Sequence, residues 1–469
     1  VNPLWRSFRA LARRGPGRRL VRGGPAARWR TARALRREAG RIAARLRRAG
    51  VRRADVVLVV ASNRPAFVAA ALGVWAADAV LLAVEEGIAA SERARIEAAF
   101  RPAASITTAG GRPRVAGRAP SGAAAGPLRC PGAAMIRLTS GTTGAPRGVL
   151  VTARQLEADA RAIIARTGLR PGDVNLGVVP LSHTYGFDQI VVPMILQGTP
   201  ALLLRQPLPS LILRALRARG PLVLAAVPYI LDLLARRAEG AAARRSGLRI
   251  CLSAGAPLPR RTAAAFRERF GVPVRTLYGT SETGAVSSDD TADGSAPEGC
   301  VGRPLPGVRV GIARRGPGRL PGSEGRVVVR GPAVASRYVP DASPELGAGR
   351  FLTSDLGRLD AEGRLHLTGR VSHLVNVSGR KVNPAEVERA LLSIPGVADA
   401  AALGVRDPLR GERLEAWVVA EDGRAPASIR GALAGRLAAH KLPRAIHVVT
   451  ALPRTARGKL DRARLLPRP

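Results

Sequence analysis

Apolar positions follow two rhythms along this chain. Over residues 28–50, Ala32, Leu35, Ala39, Ile42 and Leu46 recur at helical spacing with arginines between them, which predicts one amphipathic helix. Residues 54–60 form a near-continuous apolar run, suited to a parallel strand buried on both faces. A turn at Asn63 leads to a predicted helix over 66–76, a strand over 80–84 and a helix over 91–100. The alternation resumes with a helix over 154–167, apolar strands over 174–180 and 223–229, and a helix over 260–270. Strand and helix in alternation imply parallel sheets with helices on their faces. The Gly/Pro/Arg-rich stretch 110–132 reads as a surface loop.

From Gly299 the rhythm shortens. β-Branched runs at 308–312 and 327–330, separated by Gly/Pro turns, predict a small β-subdomain. Beyond 370 the pattern becomes that of one small α+β domain: a helix opened by Pro384, then strands over 400–405 and 414–420. The expected architecture is therefore α/β. A large N-terminal domain (1–370) has parallel and mixed sheets, flanking helices and a β-subdomain, and a small mobile C-terminal domain (371–469) completes the chain.

Composition adds a bias. Lys and Arg total 75 against 34 acidic residues, a formal charge of +41, and the only lysines are Lys381, Lys441 and Lys459. Such charge attracts anions, yet the arginines are spread over the whole chain and aromatics are only 3%. A single-strand nucleic-acid groove needs aromatics for base stacking, so the charge reads as compositional bias and no nucleic-acid partner is expected. No acid occurs up to Arg37, which has a transit-peptide texture; the helical register over 28–50 favours a folded start instead. Cys130, Cys251 and Cys300 lack metal or disulfide spacing, and a reducing cytoplasm is the expected location. No apolar run reaches the roughly 20 residues of a membrane span.

The chemistry concentrates at LTSGTTGAPRGVLVT. An apolar strand ends in Thr139, Ser140, Gly141, Thr142, Thr143 and Gly144, then Arg147 and a second apolar run. Glycines let backbone N–H groups converge on an anion, and the hydroxyls and Arg147 add donors and charge. This is a polyphosphate loop without the Walker A pattern. Further strands run into small polar residues at LSAGAPL and TLYGTSETG, where ligands of parallel sheets bind.

TSGTTGAPRGV resembles the phosphate loop of the acyl-adenylate-forming, or AMP-binding, enzymes, with Arg147 where that family usually has Lys. The resemblance runs through six ordered motifs and implies a role for residues in each. By it, Gly255, Ala256 and Pro257 line the adenine, the Tyr278 ring packs against it, Gly279 belongs to the ATP-binding set, and Thr280 faces the α-phosphate. Glu282 holds Mg²⁺. Asp355, in FLTSDLGR, takes the ribose, and Arg370 contacts the nucleotide. His183, in PLSHTYGF, gates an acyl pocket walled by Tyr185, Tyr229 and Ala254. Ser372 stands at the hinge, where the family's charged residue is missing. Ser378 and Gly379 face the thiol acceptor, and Lys459, in LPRTARGKL, reaches the α-phosphate.

The implied activity is AMP-forming acid–thiol ligation with ATP, Mg²⁺ and either coenzyme A or a carrier-protein phosphopantetheine. The small residues at the pocket suit an aromatic or medium-length aliphatic acid, and the short run after Lys459 suggests a freestanding enzyme. Two rivals remain open at this point: an acyl-AMP ligase that loads only a carrier protein, and a basic nucleic-acid-associated protein on a catalytically retired fold.

Overall fold

The structure is a computed structural model that describes every residue except 118–125, 140–145, 218–219, 239–245, 290, 292–295, 298, 314–323, 378–379, 408–410, 421–424, 435, 438–440, 456–457, 459 and 467–469. Packing divides the chain into two compact units. The first comprises Val1–Val310 with Val329–Phe351, the second Gly311–Val328 with Leu352–Pro469.

Two large sheets build the first unit. One runs, among the described residues, through seven strands from Arg337–Val339 across Arg147–Thr152, Ala133–Thr139, Val80–Glu85, Val56–Ala61 and Ala104–Thr107 to Arg114–Gly117. Its centre is parallel, Val56–Ala61 pairing with both Val80–Glu85 and Ala104–Thr107. The other has nine, and its parallel centre takes in Val174–Gly177, Leu222–Ala226, Leu248–Ser253 and Val274–Thr280. Every residue of Val56–Ala61 is buried, as its unbroken apolar run predicts.

The helix Pro65–Ala76 packs against strands of both sheets and is buried from Ala66 to Ala76. It is apolar all round, because every side of it must find a non-aqueous partner. Trp75 and Phe67 both meet Phe187 edge-on, and the Trp75 indole N–H donates to Ala134 O at 2.9 Å. Asn63, just before this helix, ties the sheets together. Its amide donates to Val179 O at 2.9 Å and Gly177 O at 3.3 Å, and its Oδ1 accepts from Leu181 N at 2.9 Å.

Several expectations need correction. The amphipathic helix is Ala32–Arg48 with Thr31 as its N-cap, and Arg30–Thr31 form a short strand before it. The sequence also hid an earlier helix, Pro3–Arg14, capped by Asn2 and burying Leu4, Trp5, Phe8 and Leu11. Arginines on its outer face disguised that apolar stripe as a leader. Within the expected loop at 110–132, Arg114–Gly117 is a strand antiparallel to Ala104–Thr107, and Cys130 is buried. The strand expected over 223–229 is Leu222–Ala226, and Pro228 instead opens a helix to Arg237. Proline suits a first helical turn, where its missing N–H has no partner to lose.

The second unit has a small antiparallel pairing of residues 355–359 with Leu365–Arg370, in which Asp355 lies opposite Arg370. A further sheet joins Arg380–Val382, Val375–Val377, Gly411–Ala420 and Val397–Asp407, with Ala445–Val448 parallel to Gly411–Ala420. The helix Pro384–Leu392, capped by Asn383, buries Val387 and Leu391 in this unit's core. Among the described residues no helix is long and apolar enough to cross a membrane.

The Asn63 straps give a direct check. Asn63→Ala takes their side-chain partner from the Val179 carbonyl and the Leu181 amide, and is expected to cost about 2–3 kcal/mol, read as a lowered urea midpoint.

Candidate active site

Strand Ala133–Thr139 and strand Arg147–Thr152 run antiparallel, with Thr139 opposite Arg147 and the Thr139 hydroxyl donating to Arg147 O at 3.3 Å. The two strands thus bring both ends of the predicted phosphate loop together. Ser140, Gly141, Thr142, Thr143 and Gly144 lie outside the described residues, as do Ser378, Gly379 and Lys459.

Beside these strand ends stands the turn that carries Glu282. Strands Val274–Thr280 and Gly284–Ser288 are antiparallel, so YGTSETG forms a hairpin turn in which Thr280, Ser281 and Glu282 are half-buried. The turn is tied internally: Thr280 N donates to the Thr283 hydroxyl at 3.2 Å, and Glu282 N to the Thr280 hydroxyl at 3.2 Å. Ala335 N donates to Glu282 O at 2.7 Å. Tyr338 reaches in from the edge strand Arg337–Val339, and its hydroxyl donates to Glu282 Oε1 at 2.8 Å. The Arg147 guanidinium lies over the Tyr338 ring, 4.5 Å from its centre. Burial and the Glu282 charge push the Tyr338 phenol well above its ordinary range, so it stays a donor.

Beneath the turn lies a buried charge cluster that sequence reading missed. Arg137 Nη2 donates to both Asp188 oxygens, at 2.6 and 2.7 Å, and lies 4.0 Å from Asp159. Asp159 Oδ1 accepts from Ala285 N at 2.9 Å, which anchors the far side of the Glu282 turn. Gly284 has φ +66°, and a Cβ there would clash with the Asp159 carboxyl group, so this position needs glycine. One guanidinium faces two carboxylates here. Burial first, and then the Asp188 charge, raise the Asp159 carboxyl well above its ordinary range.

The remaining candidates are spread over both units. Ala254 is buried at a strand end, followed by Gly255 at φ +86° and exposed, Ala256 half-buried and Pro257 exposed. Tyr278 is buried and Gly279 exposed. His183 and Tyr185 belong to a short helical segment, with His183 at the cap of Thr184–Gly186, rather than to a strand end. His183 Nε2 pairs with Glu85 Oε1 at 2.5 Å, and the Tyr185 hydroxyl donates to Leu252 O at 3.1 Å. Tyr229 is 44% exposed near the start of its helix. In the second unit, Arg370 Nε donates to Asp355 Oδ1 at 2.5 Å, and Asp355 is buried. Ser372 lies in the 3-10 turn Val371–His373 just after this pair. Lys441 Nζ donates to Glu386 Oε1 at 2.5 Å, an ordinary ion pair.

The hairpin, the paired strand ends and their order along the chain are those of a known family. Residues 8–130 and 128–339 match the sequence model of the AMP-binding enzyme, and 386–459 match that of the AMP-binding enzyme C-terminal domain. The chain belongs to the AMP-binding enzyme family. It is similar to a sulfoacetate–CoA ligase of Cupriavidus necator, 33% identical over 71% of this chain and 66% of that protein. It is also similar to a 2-succinylbenzoate–CoA ligase of Bacillus mycoides, 35% identical over 70% of this chain and 69% of that protein. Each alignment thus spans about two thirds of the relative's length. Among solved structures, an o-succinylbenzoate CoA synthetase of Bacillus subtilis in complex with its acyl-adenylate intermediate superposes with a TM-score of 0.83 at 25% identity, covering 99% of this chain and 98% of that one. These likenesses bear out the acyl-adenylate-forming resemblance and the α/β architecture of a large N-terminal and a small C-terminal domain.

Magnesium on nucleotide phosphates takes hard oxygens and few protein carboxylates. Among the described residues no group of three or more His, Cys, Asp or Glu forms a metal site. Glu282 offers one carboxylate; Tyr338 holds its Oε1, and Oε2 has no partner among the described residues. That donor set fits the ion.

The charge cluster is the stability check for this site. Arg137→Met leaves the buried Asp188 carboxylate without its cation and is expected to destabilise the protein by about 3–5 kcal/mol. The urea midpoint should fall well below that of a surface control such as Arg269→Met.

Proposed function

We propose that this chain activates a carboxylic acid with ATP, forming an acyl-adenylate and pyrophosphate, and then passes the acyl group to the thiol of coenzyme A. The observation that carries this reading is the convergence of Glu282 with the phosphate-loop strand ends through Tyr338 and Arg147. The names of the CoA-ligase relatives support the same chemistry.

A carboxylate is already ionised near pH 7, so the first step needs no protein base. Its oxygen attacks the α-phosphorus, the bond to the β-phosphate oxygen breaks, and pyrophosphate leaves. The protein's task is to position reactants and stabilise charge. Thr139 to Gly144 and Arg147 would hold the β- and γ-phosphates. Gly255, Ala256, Pro257, Tyr278 and Gly279 would receive the adenine, and Thr280 the α-phosphate. Asp355 and Arg370 would take the ribose side. Lys459 would neutralise the α-phosphate with a compact ammonium, which fits where a wide guanidinium does not. Magnesium on Glu282, when bound, supplies positive charge to the phosphates.

His183, Tyr185, Tyr229 and Ala254 would wall the acyl pocket. In the second step the C-terminal domain, beginning after Arg370 and hinged at Ser372, would bring Ser378 and Gly379 to the thiol. The thiol sulfur attacks the acyl carbonyl, the mixed anhydride breaks and AMP departs. Coenzyme A is the acceptor that the relatives' names favour over a carrier protein.

ATP–pyrophosphate exchange with a panel of carboxylates, 2-succinylbenzoate and sulfoacetate among them, tests the first step. Lys459→Ala is expected to lower exchange by about 100-fold or more. Exchange with no acid in the panel, or exchange indifferent to Lys459→Ala, overturns the reading. Thioester formation is then compared with coenzyme A and with a phosphopantetheinylated carrier protein. Product with the carrier alone would replace coenzyme A as acceptor.

A further inference from the structure

Arg147 and Glu282 carry opposite charges and touch the same side chain, yet among the described residues no ion pair joins them. Tyr338 stands between. Its ring supports the guanidinium from one side, and its hydroxyl binds the carboxylate from the other. The tyrosine is itself fixed: it is 8% exposed, and Phe351 meets its ring edge-on at 6.5 Å. Its strand is zipped to the one that begins at Arg147, with Tyr338 opposite Val149 and Val339 opposite Gly148. The Arg147 Nε is buried and makes no hydrogen bond among the described residues. The ring therefore holds the guanidinium by stacking, a contact that a flat delocalised cation makes well.

Without the ring, a half-buried carboxylate and a nearby guanidinium would close into a bidentate pair, the strongest contact either can make. That pair would consume the charge that a cation needs from Glu282 and the charge that phosphates need from Arg147. We propose that Tyr338 is a positioning residue that keeps these two charges apart, leaving Glu282 for the metal and Arg147 for the phosphates of the nucleotide. This rests on the reading of Glu282 as the magnesium ligand.

The test measures binding without turnover. Calorimetry gives the ATP affinity with and without Mg²⁺, no carboxylate being present, and the ratio of the two is the magnesium enhancement. Tyr338→Ala is expected to remove most of this enhancement. Tyr338→Phe keeps the ring and loses one charge-assisted hydrogen bond, and should lower the enhancement by about three- to tenfold. Arg147→Leu placed in the Tyr338→Ala background removes the cation that would collapse onto Glu282, and should restore the enhancement even though overall ATP affinity falls. A tyrosine that merely fills space would show no such rescue.

Glu282→Gln separates the two ideas. If it leaves the enhancement intact, Glu282 is not the magnesium ligand and the inference falls with that reading. If Glu282→Gln abolishes the enhancement while Tyr338→Ala preserves it, or if the double variant fails to recover it, the spacer role alone is overturned. Should Tyr338→Ala fail to fold, Tyr338→Phe decides: an unchanged enhancement there also overturns the proposal.

Discussion

One buried guanidinium joins the two large sheets beneath the site. Arg137 belongs to the seven-stranded sheet, and Asp159, within reach of it, holds Ala285 in the nine-stranded one. Asp188 lies just after His183, in the segment that leads away from the candidate acyl pocket. A single positive charge cannot balance two buried carboxylates, and an unpaired buried charge is costly. Burial and the neighbouring Asp188 charge push the Asp159 carboxyl upward, towards its neutral form, which eases that imbalance. The Glu282 turn is thus anchored from below by the bond from Ala285 N to Asp159 Oδ1.

The same economy of charge recurs above the turn. With a formal +41, a carboxylate in this protein has cations at every hand, and many acids are indeed captured. Asp55, Asp173, Asp188 and Glu388 all pair with arginines. Glu282 accepts instead from a neutral phenol. In a chain so rich in arginine, a half-buried acid that is paired with a phenol and with no arginine among the described residues stands apart from these others.

Much of this was legible in the sequence, because the two periodicities are strong. The buried strand Val56–Ala61, the helix Arg260–Phe270 and the turn carrying Glu282 follow from apolar rhythm and small polar residues. Bias hid the rest. Arginine on the outer face of Pro3–Arg14 makes a packed helix look like a leader. Arg137 is inconspicuous in the apolar run MIRLT, since one arginine among so many carries little information. Its partners lie far along the chain, and only the fold brings them together. Tyr338 had a usable signal. There are four tyrosines in the chain, and the other three all stand in segments that the sequence had singled out as candidates. Its role depends on strand pairing, with Arg337–Val339 returning to lie beside Arg147–Thr152, and no local pattern announces that.

Arginine can replace lysine where a flat surface receives it. The position of Arg147 has such a surface in the Tyr338 ring, so the arginine there keeps its charge and gains a stacking partner. A site that must accept a cation between two oxygens offers no platform and little width. The drift of basic positions towards arginine therefore meets a steric limit wherever a compact point charge is required. Lys441 shows that retention alone does not mark such a site, because among the described residues its ammonium pairs with Glu386 in the same unit. What separates a needed lysine from a surviving one is whether its surroundings could hold a planar fork. That is a property of the surrounding shape, which composition suggests and geometry decides.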